Sequence, residues 1–178
     1  MRLRRLADGD AEELLRAVTE SLDHLRPWSP WVANGYTAAD AEGYLRVAAD
    51  GWASGRLFAH VITVDGAIAG LVAVNRKGSD LAEIGYWVHA AHVRRGLATA
   101  AAREMVEFAF ALEGVRRVQI WHDEANAASS GVPRRLGFTE IDRRTPPRET
   151  PVGSRVGVDV VWELRRQSGA EATVSRGQ

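Results

Sequence analysis

A turn at residues 93–99, with the sequence VRRGLAT, joins a predicted strand to a long predicted helix and offers the chemistry of anion binding. The first turn of a helix carries unpaired N–H groups and a partial positive charge, which together attract phosphate groups. Gly96 lets a ligand approach the backbone closely, and the Thr99 hydroxyl adds a donor. Together these groups would suit a pyrophosphate. Taken alone, however, the residues are more typical of a solvated turn at Arg94 and Arg95 and of an ordinary loop glycine at Gly96. The P-loop motif and the G-x-G-x-x-G motif are absent from the chain.

The elements on either side of this turn follow an order that can be predicted from apolar spacing and turn residues. The predicted strands are residues 2–6, 58–64, 67–74, 81–88, 118–121, 139–143 and 156–164. The predicted helices are residues 10–26, 37–54, 97–112 and 127–136, the first of them stopped by Pro27. Thr37 with Asp40 predicts a helix cap, and Asp65-Gly66 predicts a type I′ hairpin.

This order predicts the fold class. Three consecutive strands followed by a strand–helix–strand crossover imply a mixed α/β (α+β) fold, whose sheet of about seven strands is twisted and mostly antiparallel, with helices on both faces. The sequence shows no repeat and no linker, so we expect one domain over residues 1–165. Residues 166–178 are polar and small and are predicted to form a disordered tail.

Composition narrows the classes of function. The chain has 178 residues, with 23 basic and 23 acidic side chains, so a formal net charge of zero gives little reason to expect a nucleic-acid partner. The absence of cysteine excludes disulfides, thiolate metal sites and a cysteine nucleophile. No signal peptide and no apolar run of about 20 residues is present, so we expect a cytoplasmic protein without a membrane partner.

Several segments, taken together in this order and spacing, resemble the GNAT superfamily of N-acetyltransferases. They are EIGYW at 83–87, RGLAT at 95–99, Asn126 followed by Ser129, and VPRRLGF at 132–138. The Trp28-Ser29-Pro30-Trp31 element and Asp159 in the last predicted strand also match the RimJ/RimL-like branch, which includes acetyltransferases of ribosomal-protein N-termini. The resemblance spans about residues 2–164 and implies the GNAT fold, with acetyl-CoA as cosubstrate and no metal.

The resemblance also implies where coenzyme A binds. The pyrophosphate would lie on the backbone N–H groups of Arg94, Arg95, Gly96, Leu97, Ala98 and Thr99. The pantetheine arm would run along Tyr86, Trp87 and Val88 as an added strand does, with Asn126 bonding its amide and Ser129 near the sulfur. Val93 departs from the family, which often has Gln or Arg there, so one side-chain contact with the coenzyme is lost while the backbone groups remain.

Two side chains are candidates for the chemistry that this resemblance implies. Glu83 would act as general base, directly or through a water, or else is a structural carboxylate. Ser129 would hydrogen-bond or protonate the departing sulfur, or else caps the helix that starts beside it. Pro133 would leave the carbonyl of Ser129 without its helical donor. A backbone N–H near Val88 could meet the oxyanion, and the lack of cysteine favours direct attack by the amine in a ternary complex.

The acceptor is less well defined by the sequence. Trp28 and Trp31 are predicted to wall its pocket, whereas Trp52 is predicted to pack in the core. A free α-amine has a pKa of about 8 against about 10.4 for lysine, so a protein N-terminus needs only modest help from a base. A small-molecule amine is the other option, and the oligomeric state is open, with a homodimer among the possibilities. His89, His92 and His122 lack metal-binding spacing, so no metal site is expected.

Two other functions compete with an active acetyltransferase. A catalytically weak acyl-CoA-binding sensor would bind coenzyme A equally well but release no thiol on addition of an amine. An unrelated α/β nucleotide-binding protein would prefer ATP to acetyl-CoA, and the missing nucleotide motifs count against it.

Overall fold

The computed structural model describes residues 1–166, so all but the first residue of the predicted disordered tail lies outside the described residues. Its sheet has seven strands in the order β1-β2-β3-β4-β5-β7-β6. The strands are β1 Arg2–Arg5, β2 Leu57–Val64, β3 Ala67–Arg76, β4 Leu81–Val88, β5 Arg117–Asp123, β6 Thr139–Arg144 and β7 Asp159–Arg165. Neighbouring strands pair antiparallel except β4 and β5, which are parallel. The predicted mixed sheet is confirmed.

The helices cover both faces of the sheet, as the sequence predicts. They are α1 Ala11–Thr19, α2 Leu22–Leu25, α3 Ala38–Ala53, α4 Leu97–Ala111 and α5 Ala127–Arg135. One apolar cluster packs α1 and α3 against one face through residues such as Leu14, Leu45 and Val61. The other packs α4 and α5 against the opposite face through residues such as Met105 and Val132. Each side of β4 therefore faces a different set of helices.

Two of the predicted local signals are confirmed at the level of single bonds. The Thr37 hydroxyl accepts from the Asp40 N–H at 3.3 Å and the Asp40 carboxylate accepts from the Thr37 N–H at 2.8 Å, which closes the predicted cap of α3. Asp65 and Gly66 both have positive φ, at 51° and 88°, as a type I′ hairpin requires.

Two predicted boundaries were wrong, and each has a physical cause. The first helix was expected to run unbroken to Pro27, but it breaks between α1 and α2, where Ser21 turns its hydroxyl onto the Ala17 carbonyl and accepts from the Ala90 N–H. The last strand was expected from residue 156, but it begins at Asp159 because the Asp123 carboxylate takes the N–H groups of Val156 and Gly157.

The parallel pair β4–β5 is the feature that opens the sheet. Pairing runs only from Leu81 opposite Arg117 to Glu83 opposite Gln119. Beyond Glu83 the two strands separate, while β4 stays paired with β3 as far as Val88. The sheet therefore contains a cleft, one wall of which is the outer edge of β4 from Ile84 to Val88.

Candidate active site

The outer edge of β4 carries the three residues predicted to lie along the pantetheine arm. Tyr86, Trp87 and Val88 pair with β3 on one side and with no strand of the described chain on the other. Gly70 on β3 allows this strand to lie close to the tip of β4, because a Cβ on Gly70 would collide with the Trp87 carbonyl oxygen. The edge thus offers backbone donors and acceptors to a ligand that extends the sheet.

The turn before α4 lies at the end of this edge and has the geometry of an anion site. Gly96 caps the helix with φ of 77°, in the left-handed region, and Arg94 has φ of 57°. Within residues 1–166, the backbone N–H groups from Arg94 to Thr99 make no backbone hydrogen bond. The space next to the Gly96 Cα is open to more than 4 Å. Free donors of this kind are what a pyrophosphate would need, and the contacts predicted for individual residues stay predictions.

Ser129 lies across the cleft from β4 at the third position of α5. Asn126 caps that helix, since its Oδ1 accepts from the Ser129 N–H at 3.1 Å. The capping role considered for Ser129 therefore belongs to Asn126. The Ser129 hydroxyl lies 3.1 Å from the Tyr86 phenol oxygen. Burial raises the pKa of Tyr86 to about 12, so this phenol stays protonated at neutral pH.

Glu83 lies where β4 and β5 begin to separate, and basic side chains contact its carboxylate. Arg148 Nη1 donates to Glu83 Oε2 at 2.7 Å, and Lys77 Nζ lies 4.0 Å from the same oxygen. The Glu83 side chain is 15% exposed, so water screens this pair only partly. These contacts are those of a structural carboxylate, and a base role would require Arg148 to move away.

The connection between β6 and β7 positions Arg148. Its guanidinium lies 4.0 Å from the centre of the Trp121 ring, and its backbone N–H donates to Asp159 at 2.9 Å. Asp159 also accepts from Arg155 at 3.1 Å, and the side chains of both are at most 6% exposed. The segment was recognisable as Pro- and Arg-rich, but the target of each arginine depends on contacts that the sequence does not show.

Asp123 anchors the same connection from the end of β5. Burial would raise the pKa of Asp123, but N–H donors from Val156, Ala125 and Gly157 outweigh it and lower that pKa. The Arg155 Nε lies 3.6 Å from the Asp123 carboxylate. Both ends of the connection are thus held by buried charges, and it stays close to Glu83.

Trp28 and Trp31 line a cavity of about 680 Å³ on the α1–α3 side of β4. The Trp31 ring lies 5.6 Å from the Tyr36 ring and 6.4 Å from the Trp87 ring, measured between centroids. Other lining residues are Tyr44, Asp40, Glu149 and Asn75. No lysine, arginine or histidine of the described residues is among those that line the cavity. Trp52 packs against Phe58 and Phe108, as predicted for a core residue.

The histidines make local contacts. His122 Nε2 accepts from the Trp162 indole at 2.9 Å, and its Nδ1 lies 2.7 Å from the Asp123 carbonyl oxygen. His89 lies 3.0 Å from the Glu20 carboxylate. Across residues 1–166, no group of three or more histidine, aspartate or glutamate side chains is arranged to hold a metal ion. No helix of that region is long and apolar enough to cross a membrane.

Comparison with known proteins agrees with this geometry. The family model "Acetyltransferase (GNAT) domain" matches residues 1–139. A curated relative from Bacillus subtilis (strain 168), "Putative ribosomal N-acetyltransferase YdaF", is 32% identical over 151 residues, which cover 78% of this chain and 77% of the relative.

Solved structures share the fold. A structure described as "Probable acetyltransferase" is 25% identical with a TM-score of 0.82, and the match covers 92% of both chains. Mycobacterium smegmatis RimJ in complex with CoA-disulfide is 23% identical with a TM-score of 0.80, over 92% of this chain and 80% of that one. At that identity the second likeness is evidence for the fold alone.

Proposed function

The chain belongs to the GNAT family of acetyltransferases, and from this premise we propose that it moves the acetyl group of acetyl-CoA onto the α-amine of a protein N-terminus. The observation that carries the proposal is the free edge of β4 that leads to the unbonded N–H groups of residues 94–99. A backbone edge followed by a helix start suits a ligand with amide groups in its arm and a diphosphate at its end.

Each part of the coenzyme has a proposed partner in the chain. Acetyl-CoA supplies the acetyl group in activated form, as a thioester. The N–H groups of residues 94–99 hold the diphosphate, and the edge from Tyr86 to Val88 aligns the arm. Asn126 has its Oδ1 engaged with the Ser129 N–H, which leaves its amide NH₂ as the group free to bind the arm.

The cavity beside Trp28 and Trp31 supports an amine acceptor. Aromatic faces attract cations, and the Asp40 carboxylate adds negative charge, whereas the Glu149 carboxylate is paired with Arg155 at 3.1 Å. A protein N-terminus enters such a cavity as an ammonium and is the amine most easily deprotonated there, because its pKa is about 8. A volume of about 680 Å³ is enough for the terminal residues of a peptide and not only for the amine.

We assign the chemical step to direct attack by the deprotonated amine, with Ser129 as the donor to the departing sulfur. The hydroxyl lies on the helix that faces the free edge of β4, within 3.1 Å of Tyr86. Glu83 stays a hypothetical base, because its carboxylate is paired with Arg148. A backbone N–H near Val88 is our candidate for stabilising the oxyanion.

The proposal is tested by a thiol-release assay with acetyl-CoA and a panel of N-terminal peptides, free lysine derivatives and small amines. We expect release that depends on the added amine and is fastest with peptides. Coenzyme binding without release for any amine would favour the acyl-CoA sensor instead. Calorimetry that detects no heat with coenzyme A would overturn both functions.

Two further expectations depend on this function. A cytoplasmic location follows if the acceptors are ribosomal proteins, a class that the word "ribosomal" in the name of the Bacillus subtilis relative suggests. A homodimer stays a prediction that light scattering on the purified protein decides.

A further inference from the structure

Helix α5 contains a proline whose position relative to Ser129 has a specific consequence. In a regular helix the N–H of residue 133 would donate to the carbonyl of residue 129, four positions earlier. Pro133 has no N–H, so the Ser129 carbonyl lacks that donor. The Tyr86 phenol reaches this carbonyl oxygen from β4, at 3.3 Å. A side chain from the opposite wall of the cleft thus replaces a bond of the helix backbone.

The same phenol oxygen also lies 3.1 Å from the Ser129 hydroxyl, so Tyr86 contacts two of the three polar groups of Ser129, the carbonyl and the hydroxyl. A phenol has one O–H to donate, and the carbonyl can only accept. When the phenol donates to the Ser129 hydroxyl, the hydroxyl proton of Ser129 is free to point at a third group. When it donates to the carbonyl, the Ser129 hydroxyl can donate to the phenol instead.

We propose that Tyr86 is the positioning residue for Ser129. Because Pro133 has no N–H, the Ser129 carbonyl lacks its helical donor and accepts from the Tyr86 phenol instead. The inference rests on the proposed acetyl transfer. As the amine nitrogen forms its bond to the acetyl carbon, the bond from that carbon to sulfur breaks and the electron pair goes to sulfur. Ser129 then turns its O–H toward the sulfur, and Tyr86 compensates by donating to the Ser129 oxygen. The proton lost by the amine leaves to solvent, and solvent supplies the proton that the thiolate takes up.

A purely structural role for Tyr86 would also be compatible with the bond to the carbonyl. The two roles separate because they use different atoms of Ser129. The carbonyl bond replaces a bond of the helix backbone, whereas the hydroxyl bond acts on the group that we assign to the chemistry. A variant that gives the Ser129 carbonyl a new donor, but leaves the Ser129 hydroxyl without the Tyr86 phenol, therefore distinguishes the two roles.

The first test is a double-mutant cycle measured by amine-dependent thiol release. We expect Tyr86→Phe to lower kcat about tenfold and Ser129→Ala to lower it about 10- to 100-fold. This is at or below the roughly 10²- to 10⁴-fold of a positioned proton donor, because Ser129 only hydrogen-bonds the sulfur while solvent supplies the proton. In the Ser129→Ala background, Tyr86→Phe should have no further effect on kcat. A further tenfold loss there would overturn the inference, as would wild-type turnover in Tyr86→Phe itself.

The second test uses Pro133→Ala, which returns an N–H to the position that faces the Ser129 carbonyl. We expect Tyr86→Phe to lower the thermal midpoint and the added Pro133→Ala to recover it, while kcat stays low. Recovery of kcat together with the midpoint would show that Tyr86 is only structural. The calorimetric Kd for coenzyme A should stay within about twofold throughout, because the proposed coenzyme contacts of β4 are made by its backbone.

Ser130→Ala is the matched control, since Ser130 adjoins Ser129 but donates to the Ala127 carbonyl of its own helix at 2.8 Å. Its kcat should equal that of the wild type. Failure of this inference is distinguishable from failure of the proposed function. An inactive wild type with every amine refutes the function, whereas an active wild type matched by Tyr86→Phe refutes only the role of Tyr86.

Discussion

At the scale of single residues, Glu83 carries a negative charge that the structure balances with Arg148 and Lys77. We expect Glu83→Gln to lower the thermal midpoint while kcat stays within about tenfold of wild type, because Arg148 and Lys77 already engage this carboxylate. A general base contributes about 10²- to 10⁴-fold, so a loss of that size would restore the catalytic interpretation. Arg148→Met is the matched variant, and combining the two should add little to the loss of midpoint.

His122 is a second residue whose charge state has a measurable effect. Burial lowers the pKa of His122 in the folded state, and its Nε2 must stay unprotonated to accept from Trp162. Above about pH 6.5, the ordinary pKa, His122 is neutral in both states and its titration contributes nothing. Below that pH the unfolded chain binds a proton that the folded chain does not, so the free energy of unfolding falls as the pH falls.

The check is urea unfolding at pH values from about 7.5 to 5. In His122→Gln the slope of the unfolding free energy against pH should decrease but not vanish. Burial also lowers the pKa of His24 and His60, and both keep titrating in that variant. An unchanged slope would show that His122 takes up a proton in the folded protein as readily as in the unfolded one.

At the scale of elements, Gly70 sets how closely β3 approaches the tip of β4. A side chain at Gly70 would meet the backbone of Trp87 and Val88, so Gly70→Ala must displace that tip. We expect a loss of stability of about 1–3 kcal/mol, the usual effect of overpacking, and a weaker Kd for coenzyme A by calorimetry.

Gly43→Ala in α3 is the control for this change. A Cβ there would meet only the end of Arg46, at 3.8 Å, so alanine should be neutral or stabilising and leave coenzyme binding unchanged. Equal effects of the two substitutions would mean that the tip of β4 does not position the coenzyme.

The elements also show what a sequence can predict. Spacing and turn residues are local signals, so the hairpin at Asp65-Gly66 and the cap at Thr37 were predicted correctly. The start of β7 depends on Asp123, more than thirty positions away from Val156, and the break after α1 depends on a hydroxyl that bonds Ala90. No local pattern contains such contacts. For the same reason the sequence could nominate Ser129 but not its contact with Tyr86.

At the scale of the whole molecule, the cavity that we propose for the acceptor is lined by aromatic rings and by the Asp40 and Glu149 carboxylates, the second of them paired with Arg155. No basic side chain is among its described lining residues. We expect peptides with lysine at the second or third position to give a higher kcat/KM than peptides with glutamine there. Peptides with glutamate at the same position should give a lower kcat/KM than the glutamine peptides. We expect kcat/KM to change about fivefold per unit of peptide charge. This corresponds to about 1 kcal/mol, the Coulomb energy of unit charges about 4 Å apart in water.

Salt and substitution provide the controls for this preference. The difference between lysine and glutamate peptides should shrink at about 1 M salt, where the Debye length is about 3 Å. It should also shrink in Asp40→Asn, while the glutamine peptide changes little. A preference for acidic peptides would contradict the assignment of this cavity to the acceptor.

The outer edge of β4 has a consequence for handling the protein. An unpaired strand edge invites pairing with another chain, which is how many sheet proteins begin to aggregate. A coenzyme that occupies this edge covers it, and at a concentration of about 100 times Kd it also stabilises the folded state by about 2.7 kcal/mol. Coenzyme A is therefore a natural additive for purification and storage.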